Sequence, residues 1–524
     1  RDSSSYRLHP PPFLSFARRW RNAKLLLATC GRKARDLMLV WMMLALARSF
    51  VPLRTVWMSR RGPPRLPRTA SDLRARSEPR LPKRKVALLL GYSGKKYWGF
   101  QLQNNDDYPT IESEMIKALA SSGVVSERNT EKLHKCGWSR SARTDKGVSA
   151  ARHVVTVKLE LAEDEGMDVA VARLNEALPA DIRVFDAVRV TKGFEAKKSC
   201  DRRRYTYLLP ECMLASPAEA FELFQKYGVV EDFAGLRRSI VESKMRGGET
   251  HTPSLWRISS DETRRALAEE FAAYRADSAT VEALKRILRQ YVGTRNYHNF
   301  TAKMKADSDA AKRYVLSFDV EGDVVHFGGG GNPRWLRLTV VGQSFMLHQI
   351  RKMVAVAAEA ARTHRAADDV KAKAIVDGLC RRDDDVPLQL VPGDGLYLGE
   401  PIFHTYNQYK SDDAIDRPKL LWDEDHPKFH TIEAFRSDVV ERTILKDGSP
   451  EALLPFVDHL WQVTVFGFQL SPDDPIPECN LDAADLLRLS RPFDYDANDD
   501  GNNGGGEKTR TNEPPEVTME DDGG

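Results

Sequence analysis

Valine and leucine alternate with polar residues between positions 155 and 161, and this period of two predicts a strand with one buried face. Ahead of it, Thr110 is a helix-capping residue type, and Ile111, Met115 and Leu119 then fall on one face of a helix. The same two periodicities predict strands at residues 86–90, 182–190, 203–209, 314–320 and 335–341, and helices at 169–178, 281–291 and 345–363. Strands that alternate with helices predict an α+β fold in which helices cover one face of a sheet.

Composition changes along the chain and divides it into segments. Arg and Lys crowd the first 84 residues, whereas Asp, Glu, Gly and Asn dominate after residue 480. Blocks of this kind are commonly disordered or act as interaction tails. The predicted segments are a basic, largely disordered leader or targeting segment at 1–84, a first globular part at 85–195, a second at 196–410 with an insertion or lid near 228–272, a C-terminal extension at 411–480 and an acidic disordered tail at 481–524.

Composition also excludes some classes of protein and of site. The apolar run at residues 37–47 is far shorter than the ~20 residues that a membrane-spanning helix needs. The six cysteines are scattered and lie at no zinc-ligand spacing, so we expect no metal site and a reduced, intracellular protein. The net charge of +4 does not decide whether the partner is a nucleic acid.

The clearest candidate chemistry lies just before the alternating strand, in residues 141–150 (SARTDKGVSA). Asp-Lys-Gly is by itself a common turn, since Gly147 can supply a positive φ. Arg143, Asp145 and Lys146, however, form a dense cluster of mixed charge that leads directly into an apolar strand. Rigid sheets often present reactive side chains on loops at such positions. The residues alone therefore leave a turn and a reactive loop as alternatives.

This stretch resembles the catalytic loop of the TruA family of tRNA pseudouridine synthases, and its Ser-Ala opening resembles the eukaryotic multisite branch. Further stretches resemble motifs of that family in the same order, at residues 92–101, 174–183, 200–210, 291–300, 348–353 and 395–398. Residues 420–462 are similar to the C-terminal extension of eukaryotic members. Ala355 departs from the family pattern, which often has glycine there. Alanine is the better helix former and leaves the catalytic assignment unchanged.

The resemblance implies a fold and a reaction. The fold is α+β, with two RRM-like (ferredoxin-like) α/β subdomains fused through a continuous antiparallel sheet, a central basic cleft and a C-terminal helical extension. The reaction is the isomerisation of uridine in tRNA to pseudouridine, without a cofactor or a metal. The target base must leave its stack to react, and breaking its glycosidic bond builds positive charge on the ribose.

Three catalytic residues follow from the resemblance. Asp145 is the carboxylate that stabilises the ribose charge, attacks it or removes a C2′ proton, and the sequence does not choose among these routes. Arg351 lies against Asp145 and favours its ionised form; the alternative is a surface charge on an amphipathic helix. Tyr205 stacks on the displaced uracil, and its hydroxyl can assist in removing the C5 proton; the alternative is a core aromatic residue of a strand.

The residues predicted to bind the RNA are Arg143, Thr144, Lys146, Lys197, Lys198 and Arg203. Arg143 is similar to the arginine that holds the target base out of its stack in the family. Residues 197–205 combine basic side chains with an aromatic one, which favours RNA contact over a merely solvated face. For His298 and His348 we expect structural or RNA-contacting roles rather than catalytic ones.

We expect tRNA as the partner, with mRNA or snRNA as further structured substrates, no membrane contact, and a monomer in preference to a homodimer. We expect a nuclear location, with a mitochondrion or another organelle as the alternative suggested by the Arg-rich opening. Two other functions stay open. One is a non-catalytic RNA-binding protein on the same fold, and the other is the sister branch of the family that acts on the lower anticodon stem.

Overall fold

A computed structural model of the chain describes residues 81–229, 259–322, 333–412 and 417–466, apart from 104, 106 and 303, together with Leu255 and Leu470. Almost all of the predicted leader, most of the predicted insertion and the acidic tail lie outside the described residues. Within the described part, no helix is both long enough and apolar enough to cross a membrane.

Nine strands form one sheet. The strands are β1 (Lys83–Tyr92), β2 (Ser139–Arg140), β3 (Ser149–Glu160), β4 (Ile182–Arg189), β5 (Arg202–Pro210), β6 (Gly293–Asn296), β7 (Lys312–Val320), β8 (Trp335–Gly342) and β9 (Leu396–Ile402). Their spatial order is β4–β1–β3–β9–β5–β8–β7–β6, and β2 pairs with β3 outside this path. The α+β class and the continuous, mostly antiparallel sheet are confirmed.

The sheet consists of two halves with the same strand order. In the first half β1 lies between β3 and β4, and in the second half β5 lies between β8 and β9; all these pairs are antiparallel. A further strand, β2 in the first half and β7 in the second, pairs antiparallel with β3 or β8. Strand β6 extends the second half beyond β7; when it is left out, the order counted within each half is fourth, first, third, second.

One part of the fold prediction is wrong, because the two halves meet through a parallel pair. Ser149 and Ala150 of β3 pair with Tyr397 and Leu398 of β9 in the same direction. In each half the third and fourth strands are both antiparallel to the first, so they run the same way. The halves join with β3, the third strand of one, beside β9, the fourth strand of the other. Because the first strands of the two halves, β1 and β5, run in the same direction, β3 and β9 have to be parallel.

The described helices are α1 (Ile111–Ser121), α2 (Glu127–Thr130), α3 (Met167–Ala177), α4 (Ala196–Ser199), α5 (Pro217–Lys226), α6 (Asp261–Ala273), α7 (Ser278–Gln290), α8 (Gln349–Arg362), α9 (Asp369–Leu379), α10 (His404–Tyr409), α11 (Phe429–Phe435), α12 (Arg442–Leu445) and α13 (Leu454–Phe466). Thr110 caps α1 as predicted: its hydroxyl accepts from Ser113 N at 3.1 Å, and the Ser113 hydroxyl accepts from Thr110 N at 3.0 Å.

Two predicted elements differ from the observed ones. The strand expected at 155–161 begins at Ser149 and is buried on both faces. Thr156, expected on a solvated face, is fully buried, and its hydroxyl accepts a hydrogen bond from Ala196 N of α4 at 2.8 Å. The long helix expected from residue 345 begins at Gln349, because His348 has a φ of 62° and cannot be part of a right-handed helix.

The C-terminal extension is helical, as expected, and packs on both halves. Phe435 of α11 meets Phe185 of β4 edge to face, with ring centroids 5.3 Å apart. Trp461 of α13 meets Phe224 of α5 in the same way at 5.1 Å. Helix α6, the described end of the predicted insertion, packs against α13 with Phe271 buried. That end belongs to the core rather than to an exposed lid.

Candidate active site

The loop that carries Asp145 lies between β2 and β3 and rests on the loop that follows β1. Gly147 N donates to Tyr97 O at 3.1 Å, and Phe100 N donates to Thr144 O at 3.1 Å. These bonds join the two stretches that are most recognisable in the sequence into one structural unit. Backbone hydrogen bonds of this kind fix the position of the loop without using its side chains.

The close approach of these two loops requires glycine at two positions. A Cβ atom on Gly94 would lie 2.2 Å from Val148 O, and one on Gly99 would lie 2.9 Å from Thr144 O. Gly99 also has a φ of 91°, a conformation that other residues rarely adopt. In the interior behind them, the Tyr92 hydroxyl lies 2.9 Å from that of Thr144. The distance between the catalytic loop and the loop that follows β1 is therefore fixed both by the glycine contacts and by the contact of Tyr92 with Thr144.

Asp181, from the recognised stretch 174–183, supports the loop that follows β1. Its carboxylate accepts from the Tyr97 hydroxyl at 2.8 Å and pairs with Lys96 at 3.3 Å. Its backbone carbonyl accepts from Ser93 N at 2.9 Å. Three stretches that are separate in the sequence of the first half thus contact one another in series, ending at the loop of Asp145.

His153 is a buried residue beneath this loop that the sequence analysis missed. Its ring stacks on Phe100 with centroids 4.2 Å apart, and its Nε2 lies 3.0 Å from Ala142 O. Burial lowers the pKa of His153 to about 3, with smaller contributions from the charges of Arg140 and Arg203. The ring is therefore neutral and donates from Nε2 to the carbonyl. A histidine inside an apolar run was the available signal.

The parallel pairing of β3 with β9 brings the second half of the sheet to this loop. Ala150 pairs with Leu398, which in turn pairs with Tyr205 of β5. Because parallel strands begin at the same edge of a sheet, the loops that precede β3 and β9 lie side by side. The charge of Asp145 is close enough to Tyr205 to help raise the pKa of its phenol.

Tyr205 lies nearly buried beside the junction of the two halves. Its ring meets Phe345 edge to face with centroids 5.6 Å apart. Burial is the largest cause that raises the pKa of the phenol; Arg203 opposes the rise and Asp145 adds to it. The hydroxyl is therefore protonated at neutral pH and is able to donate a hydrogen bond to a ligand.

Arg351 lies in the first turn of α8 and is almost fully buried. Its Nε donates to Val391 O at 2.8 Å, and a Cβ atom on Gly393 would lie 3.5 Å from its guanidinium carbon. Its charge opposes the rise that burial causes in the pKa of Tyr207, two residues after Tyr205. Arg351 is thus anchored to the loop that leads into β9, next to the loop that precedes β3.

Arg203 clamps the two halves together at the same place. Its Nε and Nη2 donate to Ser141 O at 3.0 and 2.7 Å, and its Nη1 donates to Gln343 O at 2.9 Å. Arg204, on the opposite face of β5, pairs instead with Glu400 at 3.1 Å. Arg203 and Arg204 therefore both make internal contacts. RNA binding by Arg203 stays a prediction.

Residues 287–404 match the family described as tRNA pseudouridine synthase. The chain is 32% identical over 375 residues to the pseudouridylate synthase 1 homolog of Mus musculus, covering 71% of this chain and 72% of the relative. The chain belongs to the tRNA pseudouridine synthase family.

Two proteins of Saccharomyces cerevisiae are similar to this member of the tRNA pseudouridine synthase family. The tRNA pseudouridine synthase 1 is 33% identical over 359 residues, which cover 63% of each chain. The tRNA pseudouridine(27/28) synthase is 32% identical over 342 residues, 61% of this chain and 84% of the relative. The chain spans about three fifths of the length of several yeast relatives, among them the tRNA pseudouridine synthase 1 of Kluyveromyces lactis, of which it covers 62%.

The other residues predicted to bind RNA in this family member are differently placed. Arg143, Lys197 and Lys198 are exposed, and Lys198 pairs with Glu195 at 3.3 Å. The Lys146 ammonium lies 3.6 Å from the centre of the Trp98 ring. Thr144 is buried and bonds to Tyr92. RNA contact by these residues stays a prediction, and for Thr144 the described contact is internal.

Two buried cationic or titratable residues organise the second half behind Arg351. His298 Nε2 lies 2.9 Å from the backbone carbonyl of Asp384, as expected for a structural role. The Lys352 ammonium donates to the carbonyls of Asn299 and Thr301 at 3.1 Å each, and burial lowers the pKa of Lys352 to about 8. Lys352 was not predicted from the sequence, although this residue lies in the recognised stretch 348–353.

Proposed function

We propose that the protein isomerises uridine in tRNA to pseudouridine, with Asp145 as the catalytic carboxylate. The observation that carries this proposal is the parallel pair of β3 and β9, which sets the loop of Asp145 beside the anchor of Arg351 and near Tyr205. Membership of the family supports the reaction. Two relatives in Saccharomyces cerevisiae are tRNA pseudouridine synthases by name, which supports tRNA as the substrate.

In this reaction the N1–C1′ bond breaks, the base turns, and a C5–C1′ bond forms. The base loses its C5 proton and N1 gains one, so the atoms balance without an added reactant. Asp145 acts on the ribose, by stabilising its positive charge, by attack at C1′ or by removal of a C2′ proton. All three routes need an ionised carboxylate, and a buried guanidinium such as that of Arg351 favours this form.

Tyr205 is assigned to the base. Its ring lies next to the junction of the halves, where a displaced uracil has to lie if Asp145 is to reach the sugar. Aromatic side chains stabilise unstacked bases by stacking, which contributes about 1–3 kcal/mol per base. Because burial raises the pKa of the phenol, Tyr205 keeps its proton at neutral pH, and the phenolate that could accept the C5 proton is scarcely populated.

The finer description of the fold belongs to the same proposal. We interpret each half as an RRM-like subdomain, since the order fourth, first, third, second fits the ferredoxin-like arrangement of strands and helices. The RNA then lies in a basic cleft near Arg143, Lys197 and Lys198. We include mRNA and snRNA as further substrates, a monomeric state and a nuclear location, which turnover on those RNAs, sedimentation and microscopy would test.

The decisive experiment compares Asp145→Asn with the wild-type chain on tRNA transcripts. The substitution keeps the size of the side chain and removes its charge. We expect turnover, measured by pseudouridine mapping after a single-turnover reaction, to fall on the order of 10³-fold. Binding of the same tRNA should change little, because the loop is held by backbone hydrogen bonds.

Asp164→Asn is the matched control, since Asp164 is an exposed carboxylate in the first half. It should leave both turnover and binding unchanged. Turnover that persists in Asp145→Asn would remove Asp145 from the reaction. A wild-type chain that binds tRNA and forms no pseudouridine would favour the alternative of a non-catalytic RNA-binding protein.

A further inference from the structure

A groove separates the loop that follows β1 from the C-terminal extension. It consists of two adjoining cavities of about 430 and 520 Å³, which share Lys95, Val439 and Thr443 as lining residues. Arg442 and Lys446 line the first cavity as well, together with Asp438 and Asp447, and Arg442 pairs with Asp447 at 2.8 Å. The lining of the groove is therefore of mixed charge, with Lys95 from the first half of the sheet on one side and Lys446 from the extension on the other.

Two lysines of this groove differ from their neighbours in having no acidic partner. Within the described part of the chain, no carboxylate oxygen lies within 4.0 Å of the ammonium group of Lys95 or of Lys446. The adjacent Lys96, by contrast, pairs with Asp181 at 3.3 Å. Lysines that are held together without a counter-ion attract an anion from outside.

The surroundings of Lys446 agree with this view. Burial is the largest cause that lowers the pKa of its ammonium group, and the charge of Lys95 lowers it further. The charges of Asp394 and Glu451 oppose the shift, and the only described hydrogen bond of this ammonium runs to the Glu451 carbonyl at 3.3 Å. An anion between the two lysines would relieve their repulsion.

The backbone that presents Lys446 is strained. Lys446, Asp447 and Gly448 follow one another with φ values of 44°, 57° and 83°. Only two other non-glycine residues in the described part have a positive φ, His348 and His364. Glycine at 446 would end α12 with less strain. Strained non-glycine residues of this kind cluster at binding sites.

The groove adjoins the loop that supports the candidate active site. Lys95 belongs to this loop, whose Tyr97 carbonyl accepts from Gly147 N of the catalytic loop. Asp394, just before β9, is close enough to Lys446 for its charge to raise the pKa of that ammonium group. An RNA strand that leaves a uridine at Asp145 can therefore continue into the groove.

We propose that this groove binds a backbone phosphate of the RNA substrate between Lys95 and Lys446, so that the C-terminal extension forms part of the RNA-binding surface. The proposal rests on the proposed function, since it takes RNA as the ligand. The chemistry it needs is that of a phosphodiester, which an ammonium group recognises as a point charge. A free inorganic phosphate would satisfy the same two groups and has to be distinguished by experiment.

The test measures the affinity of the full chain for a tRNA transcript by fluorescence anisotropy at several salt concentrations. The variants are Lys446→Gln, Lys95→Gln and the charge-preserving Lys446→Arg. Each glutamine variant should raise the Kd roughly 3- to 10-fold and reduce the slope of log K against log salt by about 0.7–0.9, as expected for one lost phosphate contact. Lys446→Arg should bind nearly as the wild type does.

Lys428→Gln is the matched control in the same extension, because Lys428 pairs with Asp168 at 3.3 Å and does not line the groove. It should leave the Kd and the slope unchanged. Thermal unfolding of each variant shows whether it is folded, and Lys95→Gln tests the site from a separate element should Lys446→Gln unfold the extension.

Three outcomes overturn the proposal. Unchanged Kd and slope in both glutamine variants would mean that no phosphate lies there. Equal losses in Lys428→Gln would mean a general charge effect. Binding of inorganic phosphate to the wild type that both glutamine variants abolish, while their affinity for tRNA stays unchanged, would mean a free-anion site. A wild type that binds tRNA without forming pseudouridine contradicts only the proposed function, since this assay needs no turnover.

Discussion

The two halves of the sheet share a strand order and differ most at the strand that pairs with β3 in the first half and with β8 in the second. In the second half this strand is β7, which has nine residues and pairs with β8 from Val315 to Val320. In the first half it is β2, which has two residues and reaches only Val155 and Thr156 of β3. The beginning of β3 is therefore left without its usual neighbour.

The shortened strand has two consequences for the molecule. At Ser149 and Ala150, β2 does not pair with β3, and this edge of β3 pairs instead with β9, where the halves join. The residues that would otherwise extend β2 become the loop of Asp145. The junction and the candidate active site therefore both depend on the same feature, the shortness of β2 compared with β7.

The largest effect that would break this arrangement is expected from Gly94→Ala. The new methyl group would lie 2.2 Å from Val148 O, so the catalytic loop has to move away from the loop that follows β1. A displacement of about 1 Å at a catalytic group can reduce turnover by about 10²-fold, and overpacking should destabilise the fold by about 1–3 kcal/mol. Single-turnover kinetics and thermal unfolding measure the two effects.

Gly193→Ala is the control, since a methyl group there would meet nothing within 4 Å. It should leave turnover unchanged. If Gly94→Ala were as active and as stable as Gly193→Ala, contact between the two loops would not position Asp145.

An intermediate effect is expected from Arg203→Lys, which weakens the clamp between the halves. A lysine cannot donate to Ser141 O and Gln343 O at once with the geometry of the guanidinium. We expect a loss of roughly 1–3 kcal/mol in the free energy of unfolding, together with a lower kcat at saturating tRNA, because the loop is less well positioned.

Arg202→Lys controls for this change, because the Arg202 side chain donates no hydrogen bond in the described part of the chain. It should match the wild type in kcat. A rise in KM without a fall in kcat for Arg203→Lys would instead support the prediction that Arg203 binds RNA directly.

The smallest effect concerns pH and the buried His153 of the first half. Its pKa is about 3 in the folded chain and about 6.5 in an unfolded one. Below pH 6.5 only the unfolded state takes up the proton, so this contribution to stability is complete above 6.5 and is lost as the pH falls, by at most about 1.4 kcal/mol per pH unit. His153→Gln should make the decline between pH 6.5 and 5 shallower.

His459 of α13, outside both halves, has a pKa of about 3 for the same reason. His459→Gln should therefore reduce the slope by a similar amount, and the double variant by both. An unchanged slope in His153→Gln, measured by denaturant unfolding across this range, would contradict the burial of His153 as a neutral ring.

Much of the fold followed from local patterns, whereas several contacts did not. Thr110 was identified as a cap because the group it satisfies lies three residues away. The contacts of Glu112 could not be found by the same reasoning. Glu112 lies in the first turn of α1, but it is buried, and its carboxylate accepts from Leu102 N at 2.7 Å and from Arg140 at 2.8 Å. Those partners come from other elements, and no periodicity reveals them.

The candidate site shows the same division. Motif resemblance identified Asp145, Tyr205 and Arg351 as separate residues, and strand alternation would have placed Arg203 and Arg204 on opposite faces of β5. Which face meets the catalytic loop could not be predicted, because that depends on the pairing of β5 with β9. Lys352 was missed because nothing local marks its side chain as buried, whereas His153 offered one signal, its position inside an apolar run.

Local patterns predicted most of the longer strands, several helices, the capping of α1, the loop of Asp145 and the family resemblance, because each depends on residues close together in the chain. Only the folded molecule shows that β3 and β9 run parallel, and with this which loops lie side by side. That pairing joins Ala150 to Leu398. Contacts between such distant residues are set by the packing of complete sheets and helices, which no short pattern specifies.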